Sequence, residues 1–486
     1  MPLLVIVAVL IAFSYEPSVD ASRIDAFPAA VAAIALVVSY GLLAEIMSRF
    51  VAHRIEQWQR DRPLLSYQYL RGVMASGLLG GYAGLIHVFN WPAVVAYSWR
   101  LEGWILADEL LVLAPFAAAM IVGWFAFFRV EEAMRARSSW QTSAAPRWNA
   151  RWHYVDFQIR HHLGVVLLPL SLLVLMQDLV SLCFRGSVLL PAAELGAGIA
   201  GLLVVLSLAP VILRFLWQAS PMPSSPLRMR LERLSQRLGF HVSNFLIWNT
   251  HGAVINAAVA GILPWPRYVL FTDALLDHLT PDEVEAVLGH EAGHVRHHHL
   301  WFFFAFLLGA SSLMTLMGTA AKNLLGFPGG GYFDHAFTMG RTLFMPLTCL
   351  VVYFGVFFGF LSRRFERQAD IFGCLAVSCG RSDCPENHVW DDSRPRAISL
   401  CPMGIQIFVG ALEKIATLSG SVRDNRSWRH FSIARRVEFL ESIALRPERE
   451  RAFQRVVLIL KVLVLLVLLA GVWFVILQPQ AFAISF

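Results

Sequence analysis

His290-Glu291-Ala292-Gly293-His294 is the stretch on which the reading of this 486-residue chain turns. It has the pattern H-E-x-x-H. Residues four apart share a helix face, so two imidazoles there can grip one metal ion while the glutamate reaches a water on it. That is the core of a zinc hydrolase site. The flanks place the motif inside a helix. Thr280-Pro281-Asp282-Glu283 reads as a capping box with Pro at the first helical position and acids in the first turn. Val284, Val287, Leu288 and Val295 then recur at roughly helical spacing.

The chain around this motif belongs in a membrane. It is 57% hydrophobic and 15% charged, with a mean hydropathy of +0.58. Stretches of about 20 apolar residues, enough to cross a bilayer, fall near 27–48, 72–98, 104–128, 163–183, 190–217, 300–321, 343–362 and 455–479. Residues 2–14 are apolar but short and read as a first span, giving nine. Asp108, Glu109 and Asp178 lie near span ends and read as facing headgroups. Arginines gather in 49–71, 129–162, 218–299 and 363–454, and the alternate loops hold few. The positive-inside rule makes the basic side cytoplasmic. The net charge of +6 is then mostly orientation signal and attraction to anionic headgroups. It gives no support to nucleic-acid binding, because the basic residues flank spans and no recognition module is present. Of 40 basic residues only Lys322, Lys414 and Lys461 are lysines, a bias suited to a GC-rich bacterial genome and hence to a bacterial inner membrane.

Two polar stretches, 218–299 and 363–454, flank an apolar hairpin at 300–362. Together they have the size of one domain, split by the hairpin. Residues 1–217 form a separate module of about six spans, and 455–486 hold the last one. Within the first polar stretch, 228–238 reads as an amphipathic helix. Residues 245–248, 253–255 and 268–271 read as short strands separated by turn residues. A small sheet followed by a metal-binding helix suits a zinc protease core.

A catalytic zinc takes three protein ligands and leaves a position open for water. After the motif, the best third ligand is Glu366. Asp370, four residues on, shares its helix face and can accept a hydrogen bond from a ligand imidazole, fixing its tautomer. A solvated acidic pair beside Arg363, Arg364 and Arg367 is the plainer alternative.

With these motifs the chain resembles the membrane zinc metallopeptidase family of the CAAX prenyl endoproteases and the bacterial HtpX-type quality-control proteases. That family places H-E-x-x-H before a transmembrane hairpin and E-x-x-x-D after it. The resemblance covers about 218–445. It implies a polytopic α-helical membrane protein with a split α+β gluzincin (thermolysin-like) metalloprotease domain. It implies one zinc on His290, His294 and Glu366, with Glu291 as general base and Asp370 behind the ligands. It also implies a substrate-holding edge at Asn256-Ala257, although Asn256 reads equally well as a turn residue. Downstream, His430 matches the family's oxyanion-stabilising His and Arg436 its buttressing Arg, six residues later. Phe431 stands where the family usually has Pro.

The activity implied is a zinc endopeptidase acting on membrane-associated or misfolded polypeptides, with its catalytic domain on the cytoplasmic side. A dedicated processing protease is the nearest alternative, and a transporter with an incidental H-E-x-x-H is the alternative from another class. The expected partners are a polypeptide substrate and the lipid bilayer. The sequence does not encode the oligomeric state. Two features lie outside this reading. His297-His298-His299 reads as a run at the membrane boundary. Cys374, Cys379, Cys384 and Cys401 cluster in an apparent insertion at 374–403. They read first as free thiols and second as a structural zinc knot, disulfides being disfavoured in a cytoplasmic loop.

Overall fold

A computed structural model of the protein describes residues 2–15, 25–57, 62–101, 103–137, 151–252, 254–309, 353–379, 400–418, 432–446 and 448–477. It divides into two units, Met1–Ser220 with Trp248–Ala253 and Pro221–Ile247 with Val254–Phe486.

The first unit is helical. Its helices are α1 (Pro2–Phe13), α2 (Ala26–Gln57), α3 (Arg62–His87), α4 (Trp91–Ala93), α5 (Ala107–Arg137), α6 (Arg151–Gln158), α7 (Val165–Cys183) and α8 (Leu190–Leu216). A π-helical turn at Ile159–Gly164 joins α6 to α7, so the span beginning near 163 is longer than the hydropathy alone suggests, running Arg151–Cys183. The expected 72–98 span is a bent pair, Tyr69–His87 and Trp91–Ser98, meeting at 52°. Asn90 sits at the bend with a left-handed φ of 51°, and Pro92 follows it in the first turn of α4. Helix α1 has 12 residues, a rise of about 18 Å against an apolar thickness of about 30 Å. Including the last helix of the chain, five helices among the described residues are long and apolar enough to cross a membrane, or six with the bent pair. Their outward faces carry bare apolar side chains such as Phe27, Ile34, Leu203 and Phe215, as expected where lipid, not water, is the solvent. The expected spans at 300–321 and 343–362 fall mostly outside the described residues. Asp178 does not simply face headgroups: its Oδ2 accepts the Leu106 N–H at 3.0 Å.

The second unit is α+β. Helix α9 (Pro226–Arg237) starts at Ser225, whose hydroxyl accepts the Arg228 N–H. The strands are β1 (Ser220–Pro221), β2 (Asn244–Trp248), β3 (Ala257–Ala260) and β4 (Tyr268–Thr272), in the order β1-β2-β4-β3. The third strand is thus an edge, paired antiparallel to β4 from Ala257↔Phe271 to Ala260↔Tyr268. It begins later than the 253–255 run expected from the sequence. Thr272 sets the register: its N–H donates to the Asn256 carbonyl, and its hydroxyl accepts the Asn256 N–H.

Thr272 also caps α10 (Asp273–His278), and α11 (Pro281–Arg296) follows. The capping box forms as the sequence predicts: Glu283 Oε2 accepts the Thr280 N–H at 2.8 Å, and the Thr280 hydroxyl accepts the Glu283 N–H. Lys414 then pairs with the same carboxylate at 2.7 Å. Arg230 ties α9 to α11 through Asp282 and Glu285. The unit continues with α12 (Gly359–Ala376), α13 (Pro402–Leu418), α14 (Ile433–Leu445) and α15 (Glu448–Leu477). One apolar core joins α9, β2, β3, β4, α10 and α11 through Leu231, Phe245, Phe271, Leu275 and Leu288; a second joins α12, α13 and α14 through Ile371, Phe408 and Leu440.

Candidate metal centre

Helix α11 can carry a metal site only if α12 lies almost against it, and small residues make that possible. A Cβ on Gly289 would lie 2.3 Å from the Ala376 Cβ, and one on Gly293 would lie 3.0 Å from the Phe372 Cβ and 3.1 Å from the Ala369 Cα. On α12, a Cβ at Gly373 would lie 2.6 Å from a Phe408 ring carbon and 3.1 Å from the Ala286 carbonyl oxygen. Three glycines therefore let two backbones touch, and the touching faces are those that carry the expected ligands.

The structure brings His290, His294 and Glu366 together. The two imidazole Nε2 atoms are 3.2 Å apart. Glu366 places Oε2 3.7 Å from His290 Nε2 and Oε1 3.8 Å from His294 Nε2. A tetrahedral ion with ligands about 2.1 Å away requires donors about 3.4 Å apart. The observed spacings bracket that value, so a single zinc fits the cradle with sub-ångström adjustment. Among the described residues no other group of three His, Cys, Asp or Glu side chains converges in this way.

Asp370, wholly buried, lies behind the site, its Oδ1 3.0 Å from His290 Nδ1. The distance is short, although the ring N–H does not point squarely at the oxygen. Arg436, from α14, grips the same carboxylate with two nitrogens. Burial alone would raise the Asp370 pKa, but Arg436 and His290 outweigh it and hold the carboxyl below its usual range. Burial pulls His290 down as a base, yet the Asp370 and Glu366 charges prevail and its pKa is raised. His294 lacks such a carboxylate contact. Burial, helped by His290, takes it down to about 4. The Glu291 carboxyl is pushed up to about 7 by burial, with His290 opposing and Glu366 assisting.

The other expected residues separate. Asn256 is exposed where the chain enters edge strand β3, and Ala257 is buried as that strand's first residue. The Val259 backbone lies beside the Glu291 carboxylate. His430 and Cys384 lie outside the described residues. Among the described residues, Cys374, Cys379 and Cys401 are in no disulfide, and no metal-holding group includes them. The sequence reading missed Phe408, whose ring stacks 5.9 Å from His290 at 25°. Its only signal is one apolar position among many on α13.

Residues 221–385 match the model of Peptidase family M48. Two relatives are the CAAX prenyl protease 1 homologs of Arabidopsis thaliana and Oryza sativa subsp. japonica, 29% and 26% identical over 178 and 175 residues. Each match covers 35% of this chain and 41% of the relative, less than half its length. Among solved structures, the crystal structure of S. mikatae Ste24p is similar with a TM-score of 0.47 and 15% identity, over 87% of this chain and 99% of that one. Over residues 221–385, which hold the His-His-Glu cradle, the chain is similar to Peptidase family M48.

Proposed function

We propose that this chain is a zinc-dependent endopeptidase that hydrolyses peptide bonds of membrane-associated or misfolded polypeptides. One observation carries the proposal: the His290, His294 and Glu366 donors converge at zinc-like spacing on the α11 face that also holds Glu291. His290, His294 and Glu366 would hold the ion, which when bound acidifies a water and polarises the scissile carbonyl. Glu291 would take up a proton as general base and return it to the leaving amine. Asp370, held by Arg436, keeps the His290 ring in place. His430 would donate to the oxyanion, the role the family resemblance implies.

The substrate is read as an extended chain. Among the described residues strand β3 has β4 on one side only, so its outer edge offers backbone N–H and C=O groups for β-augmentation, starting at Asn256-Ala257. The apolar helices suit substrates that are themselves held in the bilayer. The Arg-rich loops support a bacterial inner membrane with the site on the cytoplasmic side. The names of the relatives favour a dedicated, prenylated peptide as the alternative substrate.

The test is hydrolysis of an unfolded casein-type substrate by the purified full-length chain, with and without a zinc chelator, beside Glu291→Gln. That variant should retain one zinc and lose turnover. Undiminished cleavage by Glu291→Gln, or cleavage indifferent to the chelator, would rule the mechanism out. Polypeptides co-purified with Glu291→Gln separate broad degradation from one dedicated substrate. A wild-type protein without metal would leave the transporter reading standing.

A further inference from the structure

The carboxylate behind His290 has no counterpart behind His294. What stands there instead is His299, completely buried, with its Nδ1 2.9 Å from His294 Nδ1. A continuous helix could not make this contact, because residues five apart diverge by about 140° around its axis. Here α11 stops at Arg296, and His298 takes a left-handed φ of 57°. The chain then turns His299 back beneath the second imidazole. The reading of 297–299 as a simple boundary run does not describe this residue.

The remaining contacts of His299 fix its protons. Its Nε2 is 2.9 Å from Gln368 Oε1. That same oxygen is 3.4 Å from Lys461 Nζ, and the Gln368 amide nitrogen donates to Gln454 Oε1. Lysine has only donors to offer, so the Gln368 atom facing it is the acceptor. His299 Nε2 must then carry a hydrogen, which leaves Nδ1 as the acceptor of a neutral ring. The proton in the contact between the two histidines therefore belongs to His294 Nδ1. His294 Nε2 is left with its lone pair facing His290 and Glu366, the tautomer a metal requires.

Lys461 is the only charged residue in 456–477, the sixth residue of the apolar part of helix α15. A charge there is costly unless it is paired or used. Its ammonium also donates to the His297 carbonyl at 2.7 Å, which pins the turn that delivers His299.

We propose that His299 is a positioning residue for His294, and that Lys461, acting through Gln368, sets the tautomer that lets His294 bind zinc. The last apolar helix is thereby part of the metal site. This inference rests on the reading of His294 as a metal ligand and not on peptide hydrolysis.

The experiment titrates zinc alone into chelator-stripped, full-length protein in detergent, in competition with a chromophoric chelator. His299→Asn keeps an acceptor towards His294, whereas His299→Leu keeps only bulk. The expected result is a loss of about 10- to 100-fold in zinc affinity for His299→Leu, a much smaller loss for His299→Asn, and a several-fold loss for Lys461→Met. His299 also stacks on Phe365 at 4.2 Å, so a packing role alone would favour Leu over Asn. Equal affinities for Leu and Asn, or a tighter Leu variant, would overturn the proposal. If His299→Leu fails to fold by circular dichroism, Lys461→Met decides, and wild-type zinc affinity there overturns it. Tight zinc binding by a wild-type protein that cleaves nothing refutes the endopeptidase and leaves the positioning role intact. A stripped wild-type protein that takes up no zinc refutes both.

Discussion

Arg436 closes two guanidinium nitrogens onto the Asp370 carboxylate, Nε 2.8 Å from Oδ2 and Nη2 2.5 Å from Oδ1. Asp370 is wholly buried and Arg436 is 11% exposed on its side chain. The pair is therefore costly to break from one side, since a lone buried carboxylate is left behind. Arg436→Ala should destabilise the second unit by about 3–5 kcal/mol, and Asp370→Asn with Arg436→Met should recover much of that loss. Asp370 has a depressed folded pKa. Its stabilisation is present above the unfolded aspartate value of about 3.9 and is lost as pH falls from there through the depressed value. Thermal unfolding at pH 7 and pH 3.5 checks both. Equal melting points for Arg436→Ala and wild type at pH 7 would show the pair to be idle.

The glycines of the H-E-x-x-H helix make a second demand. A Cβ on Gly289 would overlap Ala376 at 2.3 Å, and neither backbone has a flexible side chain there to yield. Gly289→Val should push α12 away from α11, carrying Glu366 out of ligand distance. We expect a loss of about 1–3 kcal/mol in stability from overpacking, together with zinc affinity reduced at least tenfold. Gly289→Ala combined with Ala376→Gly should restore part of both. Measured zinc binding that is unchanged in Gly289→Val would mean that the helices do not meet as described.

How far the sequence exposes this site depends on how local each contact is. The capping box at Thr280 and the i, i+4 histidines are contained in one helix, so spacing alone identifies them. Glu366 and Asp370 come from beyond the hairpin, and only the combination of a shared helix face with the family resemblance singles them out. Arg436 needed that resemblance too, because one arginine among many basic residues has no spacing of its own. The strand expected at 253–255 lies instead at Ala257–Ala260, because apolar residues flank Asn256 on both sides and the hydrogen bonds to Thr272 that choose between the two segments are not written in periodicity. The His297-His298-His299 run hides its break for a similar reason. A left-handed turn at a non-glycine residue depends on tertiary contacts, here the Lys461 ammonium on the His297 carbonyl. Phe408, Gln368 and Gln454 carry no motif at all.

Cys374 supplies a prediction away from the ligands. The thiol is fully buried, and burial, reinforced by the Asp370 charge, pushes its pKa well above the usual value. Reactivity follows the thiolate and its access to reagent. In the native protein at pH 8, iodoacetamide should leave Cys374 unmodified, while Cys183, exposed at the end of α7, is alkylated in detergent. After denaturation both should react. Peptide mass mapping reads the outcome, and native labelling of Cys374 would contradict its place between α12 and α13.

Proton competition at the metal centre gives the last prediction. Without metal, the site holds its protons unevenly. His290 is raised above its ordinary value, because Asp370 and Glu366 outweigh burial, and Glu291 is pushed up to about 7 by burial. His294 is taken down to about 4, chiefly by burial, so its ring is already neutral near pH 7 and keeps a single proton. A cation entering the cradle displaces protons from His290 and lowers the Glu291 pKa. Zinc affinity should therefore rise with pH across the neutral range and level off once both groups are ionised or free. Calorimetric titration at pH 6 and pH 8, in buffers of different ionisation enthalpy, counts the protons. More should be released per zinc at pH 6 than at pH 8. In Glu291→Gln the pH 6 count should fall by the share that Glu291 contributes, with zinc still bound. Equal proton release at the two pH values would mean that neither His290 nor Glu291 holds a proton at pH 6 that the incoming cation must displace.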